Sequence, residues 1–311
     1  MTTQRLRSTA FAPGSVGNVG PGLDILGLAV AGAGDEVTAE RIDGNDIVVR
    51  SAGHLDLPTD ARRNTAALAV REVLCRAGVS AMGIALTVRK GLPLAGGQGG
   101  SAASAVAGAV AANALLGEPL DRMALFAASL EAEAAVTGRH PDNVAPSLFG
   151  GIVLVRSLEP VDLVALPVPD ELRVVLIHPA QRLRTKDARA VLPRAIPLAT
   201  ALHQAAQVAA MAAALAAGDY ELLGRALDDR IAEPARASLL PGFVAGKRAA
   251  LAAGALGASI SGSGPTAFAL AQGDERARSV AEAMQAAYAA AGISAQVRVD
   301  QVDRLGARVV P

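Results

Sequence analysis

The sequence predicts an α+β fold in two domains, and three observations carry that prediction. Strand-like and helix-like segments come in runs, without the strict βαβα alternation of a doubly wound parallel sheet. Hydrophobic residues make up 51% of the 311 positions, enough for a sizeable core and too many for a disordered chain. A polar, proline-containing stretch at 157–170 offers a boundary, so the division is drawn as 1–160 and 161–311.

In order, segments 5–12, 36–42 and 46–51 have the composition of strands. Residues 64–78 read as a helix that stops at Gly78. Residues 82–90 alternate like a strand. Segments 101–116 and 121–136 read as Ala- and Leu-rich helices, opened by the capping residues Ser101 and Asp121. A short apolar strand at 151–156 closes the first half. The second half predicts a strand at 172–177, helices at 197–217, 220–231 and 241–253, and two short strands at 258–261 and 267–271 around a glycine turn. A helix at 275–291 and a strand at 295–302 follow. No repeat of 20–50 residues is visible.

Several function classes are disfavoured. The formal net charge is zero, whereas a large nucleic-acid interface needs a basic excess. There is no Lys/Arg run to anchor the chain to a membrane. Met1-Thr2-Thr3-Gln4-Arg5 carries no apolar signal core. The alanine-rich stretch 205–217 is shorter than the roughly 20 residues a span needs, and is expected as a buried helix. The single cysteine, Cys75, sits in an apolar helical pattern and is expected as a small core residue. With no disulfide or CxxC site to form, the cytoplasm is the expected compartment.

Four segments carry chemistry. The first is Pro93-Leu94-Ala95-Gly96-Gly97-Gln98-Gly99-Gly100-Ser101-Ala102-Ala103-Ser104. Glycines let the backbone approach phosphate oxygens, and the following helix presents unpaired N–H groups and the positive end of its dipole. It is not a Walker A loop, since no Lys-Ser/Thr follows. It contains a loose GxGxxA, Gly97 to Ala102, so a dinucleotide site and a plain flexible loop stand as alternatives. The second, Glu131 to Pro146, holds Glu133 and His140-Pro141-Asp142-Asn143, which offer a carboxylate for Mg²⁺ and polar groups for an acceptor hydroxyl, or merely an Asx-type turn. The third, Ala12 to Asp24, is a constrained Gly/Pro loop whose strongly polar side chains are Asn18 and Asp24. The fourth, Ser259 to Thr266, is a tight loop that reads as an ordinary hairpin turn or as one that presses its backbone amides against the first. Arg189 and Arg236 suit carboxylate recognition, although an isolated arginine is usually a solvated charge.

Together these segments resemble the GHMP kinase superfamily over nearly the whole chain, and within it the branch acting on homoserine. The branch-specific motifs are Asn18-Val19-Gly20-Pro21-Gly22-Leu23-Asp24, His140 to Pro146, Ala188 to Pro193 and Glu233-Pro234-Ala235-Arg236; Gly262 to Thr266 is shared more widely. The resemblance implies a two-domain GHMP kinase fold, ribosomal-protein-S5-like then ferredoxin-like, with the active site between the domains. It implies ATP-dependent phosphorylation of the L-homoserine hydroxyl, giving O-phospho-L-homoserine and ADP on the way to threonine, and a homodimer. Residues 93–103 take the ATP phosphates. Ser101 and Glu133 take Mg²⁺, with Glu131 as the fallback. Asn18, Asp24, His140, Arg189 and Arg236 contact homoserine, and Asn143 holds its hydroxyl. The branch implies catalysis by positioning without an enzyme base; Asp142 is next in line by position.

The chain departs from the family at Gly97-Gln98-Gly99-Gly100-Ser101, where Gly-Leu-Gly-Ser-Ser is usual. One hydroxyl is lost, Gln98 replaces a side chain that would pack, and a less rigid loop is expected. Three other readings fit parts of this pattern. A mevalonate, shikimate or sugar kinase is the nearest, but mevalonate has no ammonium for Asp24. A dinucleotide oxidoreductase needs an acidic residue at a strand end about 20 residues after the glycines, and that window falls at the helix start Asp121. A dead binding protein would lose Ser101, Glu133 and Asn143, and all three are present.

Overall fold

The computed structural model describes residues 5–311; residues 1–4, most of the segment read as lacking a signal core, lie outside it. The chain runs β1 (Arg7–Val16), β2 (Leu26–Ile42), β3 (Ile47–Ser51), α1 (Thr65–Arg76), β4 (Gly83–Arg89), α2 (Gly100–Leu115), α3 (Arg122–Ala134), α4 (Pro141–Phe149), β5 (Ile152–Leu158) and β6 (Val161–Leu166). It continues β7 (Leu172–Pro179), α5 (Thr185–Ala190), α6 (Leu198–Ala217), α7 (Tyr220–Ala226), α8 (Ala232–Arg236), α9 (Phe243–Ala252), β8 (Gly257–Ile260), β9 (Ala267–Gln272), α10 (Asp274–Ala290), β10 (Ala295–Gln301) and β11 (Arg308–Val310).

Seven strands form the first sheet, in the order β11-β1-β2-β4-β3, with β5 joined to β2 and β6 to β5. Four form the second, in the order β10-β7-β9-β8. This is the two-domain α+β architecture expected. The turn at Glu159–Pro160, where the division was drawn, lies inside the β5–β6 hairpin of the first sheet. The change of sheet therefore comes between Leu166 and Leu172, and β11 returns to pair with β1.

Two helix starts follow their caps, but α2 does not: it starts at Gly100 behind left-handed Gly99 with no side-chain cap, and Ser101, expected to cap it, turns its hydroxyl to Glu133. Asn64 accepts from Ala67 N at 3.2 Å and Asp121 from Ala124 N at 2.8 Å, satisfying donors the helices cannot. Helix α2 is buried on nearly every side, which its Ala and Gly composition permits: a Cβ on Gly108 would meet Ala66 O of α1 at 2.8 Å. A second cluster joins the sheets, with Val16, Leu26 and Leu28 packed among Leu172, Val174, Leu176, Phe268 and Met211. The 17–24 loop is thereby gripped between the two domains.

Two expectations are corrected. Cys75 is exposed, because α1 turns Val70, Val73 and Leu74 to the core and leaves Cys75 outside their stripe. Helix α6 is not a buried helix: it starts at Leu198, is long and apolar enough to cross a membrane, and buries only Gln204, Met211, Ala214 and Leu215 of its 20 residues. Only one side of it meets the protein, and Leu198 and Leu202 lie exposed.

Candidate active site

A cleft of about 730 Å³ opens between the domains and is lined from both. Its floor is the glycine loop leading into α2. Gly97 (φ +72°) and Gly99 (φ +65°) are left-handed, and neither position has room for a side chain. A Cβ on Gly97 would lie 2.5 Å from Ser261 O, and one on Gly99 2.1 Å from Ser15 Oγ. Ser15 N donates to Gln98 O (3.1 Å), Ser261 Oγ to Gly97 O (2.7 Å) and Thr266 N to Gly96 O (3.3 Å). The loop is thus pinned between β1 and the Gly262–Thr266 loop, and the looser loop expected from its sequence is not what forms. Beneath it, buried Lys90 pairs with buried Asp35 and donates to Gly100 O (2.8 Å). Ser104 Oγ donates to Asp35 at 2.6 Å.

Of the loop residues expected to hold phosphate, Pro93, Leu94, Ala95, Gly96, Gly97, Gly99, Gly100 and Ser101 line the cleft. Ala102 and Ala103 are fully buried in α2 and do not, and the side chain of Gln98 is turned away from it.

Ser101 Oγ donates to Glu133 Oε1 at 2.8 Å, and Thr137 Oγ1 donates to the same oxygen at 2.7 Å. Glu133 is buried and its other oxygen, Oε2, has no hydrogen-bond partner. A hydroxyl and an unpartnered buried carboxylate oxygen fit a hard divalent cation that keeps waters and phosphate oxygens as its remaining ligands. Glu131 does not compete: it is half-exposed and paired with Arg139 at 2.7 Å. His140 Nδ1 lies 3.3 Å from Glu133 Oε1. Burial alone would lower the His140 pKa, but the Glu133 and Asp142 carboxylates outweigh it and raise it.

The remaining wall is charged. Arg189 makes a two-point bond to Asp24, at 3.0 and 2.6 Å, across 165 positions of sequence. Asp24 is left-handed (φ +61°), held so by its N–H donating to Asn18 Oδ1 at 2.8 Å. Asn18 uses its other end on Gly262 O (2.9 Å), and its N–H on Asp142 Oδ2 (2.8 Å). Arg236 is buried; its Nε donates to Ala188 O (3.1 Å) and its Nη1 to Gly262 O (2.9 Å). Among the described residues no carboxylate pairs with it. Asn143 Oδ1 accepts from Ser15 Oγ at 3.0 Å. Burial, then the Asp24 charge, pushes the fully buried Asp142 up to about 6.

The structure brings Asn18, Asp24, Ser101, Glu133, His140, Asn143, Arg189 and Arg236 to one cleft. Sequence reasoning missed Ser15, Thr137, Lys90 and Asp35. Thr137 stands four residues after Glu133, a helical spacing that could have found it. It also missed an apolar arm of the cleft, lined by Ala52, Leu57, Pro58 and Val88 beside Asn64.

A glycine loop facing a set of paired charges, at the seam of two α+β domains, is the arrangement that the resemblance to the GHMP kinases implies. The family models for the GHMP kinases N terminal domain and the GHMP kinases C terminal region match residues 64–151 and 211–290. A homoserine kinase of Chlorobium phaeobacteroides is 42% identical, over 97% of this chain and 99% of the relative. One of Arabidopsis thaliana is 43% identical, over 96% of this chain and 84% of the relative. The crystal structure of homoserine kinase from Cytophaga hutchinsonii superposes with a TM-score of 0.96 at 42% identity, covering 100% of this chain and 99% of that one. A mevalonate kinase of L. major, 17% identical with a TM-score of 0.71, shares the fold. The chain belongs to the homoserine kinase family of GHMP kinases.

Proposed function

We propose that this protein transfers the γ-phosphoryl group of ATP to the hydroxyl of L-homoserine, yielding O-phospho-L-homoserine and ADP for threonine synthesis. The observation that carries this reading is the unpaired, buried Arg236 guanidinium beside the Asp24–Arg189 pair, in the same cleft as the glycine loop. A zwitterionic amino acid complements that set: Asp24 takes its ammonium, and Arg189 and Arg236 its carboxylate, each replacing a bond the protein otherwise makes to itself. Asn18, which also holds Asp24 in place, and His140 contact homoserine too, and Asn143, steadied by Ser15, takes the hydroxyl. The apolar arm at Ala52, Leu57 and Val88 suits the nucleotide base.

Ser101 and Glu133 would hold Mg²⁺, which when bound would neutralise phosphate charge. His140 and Thr137 orient the Glu133 carboxylate. A loose phosphoryl-transfer transition state builds little charge on the attacking oxygen, so positioning suffices and no residue acts as a general base. Asp142 shapes the site by accepting the Asn18 N–H. The two domains, divided near residue 160 in sequence and between 166 and 172 by sheet, close the site from both sides. We further propose a cytoplasmic homodimer. The test of the activity is ADP release with Mg-ATP and a panel of alcohols. Turnover of L-homoserine is expected; turnover of mevalonate or shikimate with none of L-homoserine would overturn the reading.

A further inference from the structure

Gln98 belongs to the glycine loop, yet its side chain is buried behind the cleft, not in it. Both ends of its amide are bonded to the second domain. Oε1 accepts from Arg298 Nη2 of β10 at 3.0 Å, and Nε2 donates to Thr266 Oγ1, at the entry to β9, at 3.1 Å. Thr266 is fully buried, and its hydroxyl lies 3.0 Å from His178 Nδ1 on β7. Arg298 is steadied by Asp300 at 3.2 Å. Arg298 of β10 and Thr266 at the entry to β9 therefore hold one side chain of the loop, and His178 of β7 backs Thr266.

The donor and acceptor chemistry fixes the direction of this chain of bonds. A guanidinium only donates, so the amide oxygen must face Arg298, which leaves the amide N–H for Thr266; the threonine proton then goes to His178 in the tautomer that leaves Nδ1 bare. Burial lowers the His178 pKa and so favours the neutral ring that can accept it. A leucine at this position, though it would pack, would strip a partner from buried Thr266 and from half-buried Arg298, and that is costly. The tether adds to the backbone bonds that already pin the loop, and it acts on a residue flanked by Gly97 and Gly99, which have no Cβ to restrain them.

We infer that Gln98 is a positioning residue for the nucleotide: through Arg298 and Thr266 it lets the second sheet set where the loop's N–H groups stand. This rests on the reading of the loop as the phosphate site. Calorimetric titration of ADP into the wild type, Gln98→Leu, Arg298→Met and the double variant tests it without any acceptor. Each single change should weaken ADP about tenfold, the scale of one charge-assisted bond. The double change should be no weaker than either single, because the two groups act as one unit. Gln98→Glu, which keeps the Arg298 contact, should recover most of the loss. The KM for L-homoserine should stay within about twofold, even where melting falls by the few degrees that a lost buried hydrogen bond costs. Unchanged ADP affinity in Gln98→Leu, additive losses in the double variant, or parallel loss of ADP and homoserine binding with lowered melting would each overturn it. A wild type that binds ADP without phosphorylating L-homoserine would sink the acceptor assignment, leaving the ADP titrations to decide this proposal. A wild type that does not bind ADP would sink this proposal.

Discussion

The two ends of the cleft, one proposed for the phosphates and one for the acceptor, are built from different materials. The phosphate end is mostly backbone: left-handed glycines, a helix N-terminus, and hydrogen bonds between main-chain groups of β1, the glycine loop and the Gly262–Thr266 loop. The acceptor end is mostly charged side chains that meet across long stretches of sequence, as Asp24 and Arg189 do. A phosphate chain is common to every nucleotide-driven transfer, and a backbone cradle suffices for it. An acceptor must be told from its competitors, and that takes groups whose desolvation is compensated only by the right partner.

The contrast can be broken, beginning where the ends meet. Glu133→Ala should lower turnover by about 10³-fold, the scale of losing a charge-stabilising group, with the fold intact by circular dichroism. Substantial residual turnover would remove Glu133 from the metal site. Arg236→Met should next raise the KM for L-homoserine by about 10- to 100-fold while ADP affinity holds, as expected for a charge-assisted bond. Equal losses for both ligands would show that the ends are not separable.

Asp142 supplies the third test. Its folded pKa of about 6 lies above the ordinary 3.8, so the folded state holds the proton more tightly than the unfolded chain does. The stabilisation from the neutral form is complete below about pH 4 and lost as pH rises through 6, a change of about 3 kcal/mol. Asp142→Asn should therefore melt higher than the wild type at pH 7–8, with the gain vanishing near pH 4. Its turnover should fall by less than about 10³-fold; a larger fall at unchanged binding would assign Asp142 as the base. The smallest effect belongs to Gly100→Ser, which restores the family's hydroxyl. A Cβ there would meet Lys90 Nζ at 3.4 Å, ordinary contact, so the loop should tolerate it. ADP affinity should improve by no more than about threefold, half of one neutral hydrogen bond's range.

Much of this was legible in the sequence where local chemistry decides. Asn64 and Asp121 open helices because their side chains satisfy the first N–H groups, and that needs no tertiary context. Helix α4 was hidden because Pro141 and Pro146 read as a turn; Pro141 sits at its start, where a missing N–H costs nothing. The first half of β2 was hidden by Gly27, Gly32 and Gly34, which sequence rules score against strands. Gly27 is there because Asp142 O would lie 1.7 Å from any Cβ. In the site, the motif residues could be named but not their bonds. Gln98 looked like a defect in the loop, and only its neighbours in the second sheet give it work. Ser15, Lys90 and the apolar arm carry no signal of their own, since their roles come from what folds against them.

Strand β11 pairs with β1 through Thr9–Val310, Ala10–Val309 and Phe11–Arg308, and the Arg308 guanidinium stacks 4.7 Å over the Phe11 ring. Everything else in that sheet precedes it by more than a hundred residues. During synthesis, then, the first domain leaves the ribosome with β1 as a bare edge, and it stays bare until the whole second domain has been made. An unpaired edge is a template for wrong partners. The order of translation thus exposes the nascent chain longest beside the strand that carries Ser15 and leads to Asn18, and the last strand of the fold is what closes it.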